Sequence, residues 1–338
     1  MKIVECVPNF SEGKNEHTFE MMKKSLAGIC NCKLLSFEPD ADYNRVVVTM
    51  AGDELGILEG ALAISRTAAQ LIDMTKHKGE HPRMGAIDVV PFVPVKNITM
   101  EECVKISEAY AEQASKELNI PIYLYEAAAR KPERQNLANI RKGEYEGLPE
   151  KLRDPDWFPD FGTNEFNPKL GATVTGARFF LIAYNVNIKS EDVRFAKEIG
   201  EILRESGYSK RDKNGNIIKV NGQPIKVPGR LKSVKGMGVS LEKYKMTQVS
   251  MNLTNYHVTP IHIAFEEVKK EAARLGVEVT GSEIVGLVPL EALVMAGKYY
   301  SQGKNLDEKS LVDLAIEKLG LDDLHPFIKT EKIIDYMI

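Results

Sequence analysis

Apolar and polar positions change period several times along the first 126 residues, and each change marks an element. Ile3 to Val7 reads as a strand, and Pro8 to Gly13 as a loop leading into a helix over about 16–28. The runs from Lys33 to Phe37 and from Arg45 to Met50 are β-branched and apolar. Pro39, Asp40, Ala41, Asp42 and Asn44 between them suit a hairpin loop. Ile57, Ala61, Ile64, Ala68 and Leu71 recur at spacings of three and four, one face of a helix. Asp88 to Val95 is another strand. Thr99 with Glu102 three residues on predicts a capping box that opens a further helix, and Ile122-Tyr123-Leu124 predicts one more strand. Strand, helix, strand, strand, helix, strand is the ferredoxin-like βαββαβ order.

The second half repeats that order without repeating the sequence. Phe179 to Ile188 predicts a strand, and about 191–206 a helix. Leu231 to Leu241 and Met246 to Leu253 predict two strands. Ile261, Ala264, Phe265, Val268 and Ala272 form a helix stripe, and Val277 to Val285 a returning strand. Asn214-Gly215 and Asn221-Gly222 flank Ile217 to Val220, the pattern of an inserted hairpin. Helices are expected at about 290–302, 308–319 and 331–337. The expectation is an α+β chain: two βαββαβ subdomains, over 1–178 and 179–300, with a helical segment over 301–338. A sheet with helices on one side leaves its other face bare, so the two sheets are expected to pack together with helices outside and a ligand groove where the halves meet. The stretch of about 127–177, rich in Pro, Gly and charge, reads as a crossing segment lining that groove.

Composition narrows the function. A formal net charge of −3 gives no basic face for nucleic acid. No apolar run reaches membrane-spanning length, and the first residues lack the pattern of a signal peptide, so a cytoplasmic protein is expected. Four cysteines, at 6, 30, 32 and 103, fit neither a disulfide framework nor a zinc site and suit a reducing compartment. Phosphate-binding, dinucleotide-binding and serine-hydrolase signatures do not occur.

The densest chemistry lies between Ile72 and Ala86, where His77, Glu80, His81 and Arg83 sit among Gly79, Pro82 and Gly85. A stiff loop presenting an imidazole is what proton transfer needs, although most histidines are structural. His77 and His81 are four apart, but Gly79 and Pro82 oppose the helix that zinc binding at this spacing needs, so no metal is assigned. Asn9, Ser11 and Glu12 can bind an anion or simply cap a helix. Asn44-Arg45 can hold a carboxylate or a neighbouring acid. Arg141, Glu144 and Tyr145 can be a site or a solvated helix end. Gly162 to Gly171, followed by Ala172 to Arg178, combines glycines, hydroxyls and an arginine, and can take a flat ligand or shape a turn. Gly281 to Pro289 reads as a packing junction.

Val4 to Lys14, Ile72 to Ala86 with its Gly-Glu-His-Pro-Arg-Met-Gly core, Pro159-Asp160-Phe161-Gly162, Gly171 to Arg178 and Val285 to Leu290 together resemble the glutamate formimidoyltransferase (formiminotransferase) family. The resemblance implies two ferredoxin-like subdomains, a homodimer, and transfer of a formimino group from N-formimino-L-glutamate to tetrahydrofolate in histidine degradation. Carried onto this chain, it puts the catalytic histidine at His81; the chemistry then makes Glu38 or Glu80 candidates to orient it or raise its basicity, and Arg45, Arg141 and Arg178 candidates for the glutamate and folate carboxylates. It puts folate binding on Gly162, Thr163, Asn164, Glu165, Phe166, Asn167, Pro168, Lys169, Leu170 and Gly171, with Arg178. It leaves Asn9, Ser11, Asn44 and Arg45 for the glutamate substrate. Leu170 stands where relatives can have Trp, and Phe179 where they can have Lys. Animal relatives carry a cyclodeaminase domain after this one; here ammonia release is expected to need another protein. Formyl transfer between 5-formyltetrahydrofolate and glutamate, or folate binding without turnover, are the alternatives.

Overall fold

The computed structural model describes residues 2–79, 81–213 and 215–338. The chain divides into two compact units, one ending at Phe179 and the other running Phe180–Met337.

In the first unit a single strand is broken in two, β1 (Ile3–Cys6) and β2 (Asn9–Phe10), where Pro8 has no N–H to donate. Helix α1 (Glu16–Leu26) starts where the Asn15 side chain accepts the Thr18 N–H at 3.2 Å. The hairpin β3 (Cys32–Asp40) and β4 (Arg45–Gly52) follows, then α2 (Glu54–Leu71), capped by Asp53. Strand β5 (Ile87–Lys96) leads to α3 (Met100–Leu118), whose Thr99–Glu102 capping box is complete, and to β6 (Ile122–Glu126). The sheet order is β3, β4, the β1–β2 strand, β5, β7, β6, where β7 is Thr173–Ala177. Neighbours are antiparallel except β5–β7 and β7–β6, which are parallel.

Strand β7 corrects the expectation that 127–177 is all crossing segment. It inserts between β5 and β6, and its hydroxyls are spent there: Thr173 Oγ1 donates to Ile87 O and Thr175 Oγ1 to Val90 O, both at 2.7 Å. A Cβ on Gly176 would meet Tyr125 O at 2.3 Å, so the narrow strand needs glycine there.

Alternation along β6 separates two cores. Ile122 and Leu124 face the helices together with Val4, Phe10, Val48, Ile57 and Ile64. Tyr123 and Tyr125 face the other way, into a cluster with Val89, Val174, Ile140 and Leu148. That second cluster seats residues 137–157 of the crossing segment on the sheet face away from the helices. Fully buried Arg134 pins the segment through Asp160 (2.8 Å) and the Asp156 and Phe158 carbonyls (3.0 and 2.8 Å).

The second unit has a four-stranded antiparallel sheet in the order Val234–Leu241, Met246–Leu253, Ile182–Ile188, Val279–Val285. Numbered along their own chain segment, these strands run second, third, first, fourth, as β3, β4, β1 and β5 do in the first unit. Helices Val193–Leu203 and Ile261–Arg274 complete the repeat. Three strand starts come later than the pattern predicts, at Ile182, Val234 and Val279. The insert contains the pair Lys219–Val220 and Gln223–Pro224 around Asn221-Gly222; Asn214 lies outside the described residues. Helix Glu308–Leu319, within the expected 301–338 segment, packs along Leu290–Tyr300 and clusters with this second unit. The final helix is a single turn, Lys329–Lys332, followed by a 3-10 turn at Ile334–Tyr336.

Candidate active site

The loop after α2 does not hang free. Gly85 and Gly171 form an isolated bridge, with Ala86 N–H donating to Leu170 O at 2.8 Å and Ala172 N–H to Met84 O at 3.1 Å. Lower down, Met74 N–H donates to Lys169 O at 2.9 Å. The histidine loop and the Gly162–Gly171 segment are therefore laced together. Both glycines are needed: a Cβ on Gly85 would meet Leu170 O at 2.3 Å, and one on Gly171 would meet Met84 O at 2.2 Å. Here the close backbone approach is to another chain segment rather than to a flat ligand.

Asn44, in a left-handed conformation (φ 50°), staples the loop from the other side. Its Oδ1 accepts the Gly13 N–H at 2.9 Å, its Nδ2 donates to Lys78 O at 2.8 Å, and its carbonyl accepts His77 Nε2–H at 2.9 Å. Buried Ser11 donates to Gly85 O at 2.8 Å, and Asn9 Nδ2 to Val7 O at 3.1 Å. Ser11 and Asn44 thus spend their side chains on shaping the loop, whereas Asn9 bonds within its own strand.

His81 is half-buried, with Arg45 Nη1 donating to its Nε2 at 2.8 Å. A guanidinium cannot accept, so this nitrogen carries the lone pair and the imidazole is neutral. Burial, then the charges of Arg45 and Arg141, push its pKa down to about 4; the Pro82 carbonyl and Asp40 pull weakly the other way. The Tyr43 ring meets it edge-on, 6.3 Å between centroids. Arg141 is ion-paired with buried Asp88, which also accepts the Met84 N–H at 2.8 Å. Burial raises the Asp88 pKa even though Arg141 pulls it down. The Nε atoms of Arg45 and Arg141 are both buried without a partner among the described residues.

The β3–β4 hairpin thus brings Arg45 onto His81, and the charges of both Arg45 and Arg141 reach its imidazole. Glu38 is exposed on β3 opposite Val47, and the acid whose charge reaches His81 is Asp40, two residues along. Glu80 lies outside the described residues. Asp40 carries the signature of a hairpin loop and Asp88 sits inside a strand, although an acid within Ile87-Asp88-Val89-Val90 is itself a signal of a buried partner.

Along the second motif, Gly162 (φ 82°) lies against Ile120 O, where a Cβ would stand at 2.3 Å. Thr163 Oγ1 accepts the Glu165 N–H, and Asn167 Oδ1 the N–H groups of Lys169 and Leu170, all at 3.1 Å. Leu170 turns into the helix-side core and so cannot line a ligand slot. Gly162, Asn164, Glu165, Pro168 and Lys169 are exposed. Phe166 packs on Tyr145 at 5.5 Å, whose hydroxyl donates to Pro168 O. Arg178 lies apart from the segment; it donates to Phe179 O at 3.0 Å, and its charge acts on buried Glu5. Among the described residues no group of three or more His, Cys, Asp or Glu is arranged to hold a metal.

Residues 3–178 match the formiminotransferase domain, N-terminal subdomain, and residues 183–338 the formiminotransferase domain. The chain is 46% identical to formimidoyltransferase-cyclodeaminase of Mus musculus, over 100% of this chain and 60% of that protein. It is 45% identical to glutamate formimidoyltransferase of Streptococcus pyogenes, over 90% of this chain and 95% of that one. It is 41% identical to glutamate formimidoyltransferase of Thermoplasma acidophilum, over 94% and 98%. The chain thus spans 60% of the length of its longer, two-activity relatives.

Proposed function

The chain belongs to the formiminotransferase family, and from that premise we propose that it moves the formimino group of N-formimino-L-glutamate to N5 of tetrahydrofolate, releasing L-glutamate, in histidine degradation. The observation that supports this most is His81, a neutral imidazole with its Nε2 lone pair held by the Arg45 guanidinium on a loop laced to its neighbours.

The donor's amidine carbon is electrophilic when the amidine is protonated. N5 attacks it and forms the new C–N bond, and His81 Nε2 takes the N5 proton from the tetrahedral intermediate. The same proton then goes to the glutamate nitrogen as its bond to carbon breaks, leaving 5-formiminotetrahydrofolate. No oxidant, metal or nucleotide enters this scheme.

Arg45 and Arg141, each with a buried unsatisfied Nε, are the groups we assign to substrate carboxylates. Asp40 takes the orienting role first sought at Glu38. Folate is assigned to the exposed side of Gly162–Lys169, with Phe166 and Tyr145 as the aromatic surface and Lys169 toward the glutamate tail. A cytoplasmic homodimer completes the reading. Its four cysteines are free, and no helix among the described residues is long and apolar enough to cross a membrane.

Incubation with both substrates tests the reaction, following folate absorbance and release of L-glutamate, with 5-formyltetrahydrofolate plus glutamate as the competing pair. Glutamate release with a matching folate change is expected from the formimino donor; its absence at substrate saturation sinks the proposal.

A further inference from the structure

Arg45 is overcommitted on one edge and unsatisfied on the other. Its Nη1 is used on His81 Nε2 at 2.8 Å, while its Nε–H is buried and has no acceptor among the described residues. Leaving a charged donor unsatisfied in a buried site is costly, so the side chain is poised to take an anion.

The imidazole is equally compromised. Protonating Nε2 in place would set a second cation against Arg45, with Arg141 close behind. The surrounding groups give little relief. Asp40 pulls the right way from the β3–β4 hairpin, but Asp88 on β5 is engaged by Arg141. In the same loop His77 is held by the Asn44 carbonyl, and Arg83 is balanced by Glu144 and Glu146. Tyr43 offers only a ring edge. An imidazole whose pKa is pushed down to about 4 is a poor proton acceptor at neutral pH. Among the described residues, the cleft bounded by Phe10, Tyr43, Arg45, His77 and His81 leaves no space for even a water molecule. A substrate entering it must move a side chain, and Arg45 can exchange its bond to His81 Nε2 for one to an incoming carboxylate.

We infer that a carboxylate of the glutamate donor switches His81 on: it takes the Nε edge of Arg45, draws the guanidinium away from His81 Nε2, and frees that nitrogen for the proton only when substrate is in place. The identity of the carboxylate rests on the formimino-transfer reading; the exchange itself rests on the Arg45–His81 geometry. Arg45 is then a positioning residue as well as a carboxylate ligand. Proton and carboxylate binding become linked, so L-glutamate binds more tightly as pH falls through the window between the bound and the free His81 midpoints, by up to about tenfold per pH unit.

The test is a pH titration by NMR of the protein with ring-15N histidine, the His81 signals being assigned by their loss in His81→Gln. In the free protein His81 should stay neutral, protonated at Nδ1, down to about pH 4. Saturating L-glutamate should raise its midpoint by at least about one unit. In Arg45→Gln the free midpoint should move toward the ordinary 6.5, and glutamate should shift it no further. An identical wild-type midpoint with and without glutamate overturns the switch, needs no variant to fold, and counts equally if glutamate does not bind. A shift that persists in Arg45→Gln overturns the role of Arg45. The transfer assay reads the other premise separately: transfer without a shift keeps the reaction and loses the switch, and a shift without transfer does the reverse.

Discussion

The guanidinium of Arg83 grips the Glu146 carboxylate with two hydrogen bonds, Nη1 at 2.9 Å and Nη2 at 2.6 Å, and adds Glu144 at 3.0 Å. This fork ties the histidine loop to the segment that carries Arg141, so the two sides of the candidate site are held at fixed distance by one nearly buried side chain. Exposed partners leave much of the pair's energy to solvent, and Glu146 is exposed.

Removing Arg83 and removing Glu146 should therefore differ. Glu146→Gln should cost less than about 1 kcal/mol in urea unfolding, because Glu144 remains. Arg83→Met should cost more and should lower kcat, because both acids lose their partner and the loop its anchor. Equal effects of the two substitutions on stability and turnover would show that the fork does not position the loop.

His81→Ala should reduce transfer by roughly 10²–10⁴-fold, the usual share of a general acid–base group, while folate binding and thermal stability change little. Its imidazole is only half-buried and meets the Arg45 guanidinium and the edge of the Tyr43 ring. Single-turnover rates with saturating substrates check this. A variant with near wild-type kcat would remove His81 from the chemistry.

The order of strands and helices up to residue 126 was legible because each element carries its own signal: a β-branched apolar run in β4, three-and-four spacing in α2, a cap at Thr99. Strand β7 was not, since Thr173-Val174-Thr175-Gly176-Ala177 is short, small and glycine-containing. Its partners β5 and β6 are remote in sequence, and nothing local says that it must pass between them. The site shows the same division. His81 stands out because Gly79, Pro82 and Gly85 punctuate the chain around it. The bond from Arg45 to His81 and the charge of Asp40 depend on the β3–β4 hairpin folding back over the loop, a relation that no spacing encodes.

Gly171→Ala tests the lacing of the two motifs. Its φ of 68° disfavours a side chain, and a Cβ would stand 2.2 Å from Met84 O. Crowding of this kind costs about 1–3 kcal/mol, and the displaced segment takes the histidine loop with it. Thermal unfolding should show the loss, with a fall in kcat beyond what unfolding explains. A variant as stable and active as the parent would mean that the bridge is dispensable.

Lys169 is exposed and reaches only the Gln70 carbonyl, at 3.1 Å, whereas the charge of Arg178 is directed at Glu5. Lys169→Ala should weaken binding of polyglutamylated folate, and the wild-type affinity should fall as salt rises, since exposed charges are screened beyond about 8 Å at physiological ionic strength. Affinity unmoved by either change, measured by fluorescence titration, would place the tail elsewhere.

Glu5 offers a test of the fold that is independent of turnover. It sits on β1, only 4% exposed, and burial lifts its pKa from 4.5 to about 7 against the pull of Arg178. Between those values the folded chain holds a proton that the unfolded chain has released. Stability contributed by Glu5 is therefore highest below pH 4.5, falls as pH rises through the window, and is lowest above 7. The difference, 7 − 4.5, corresponds to about 3 kcal/mol at most. Glu5→Gln keeps the shape and removes the titration, so its stability relative to wild type should improve between acid and alkaline conditions, while other titrating groups cancel in the comparison. Arg178→Ala should steepen the wild-type trend by raising the Glu5 pKa further. Urea unfolding of the three proteins across this range measures it directly, and a difference between Glu5→Gln and wild type that stays constant with pH would show that Glu5 is charged in the folded state.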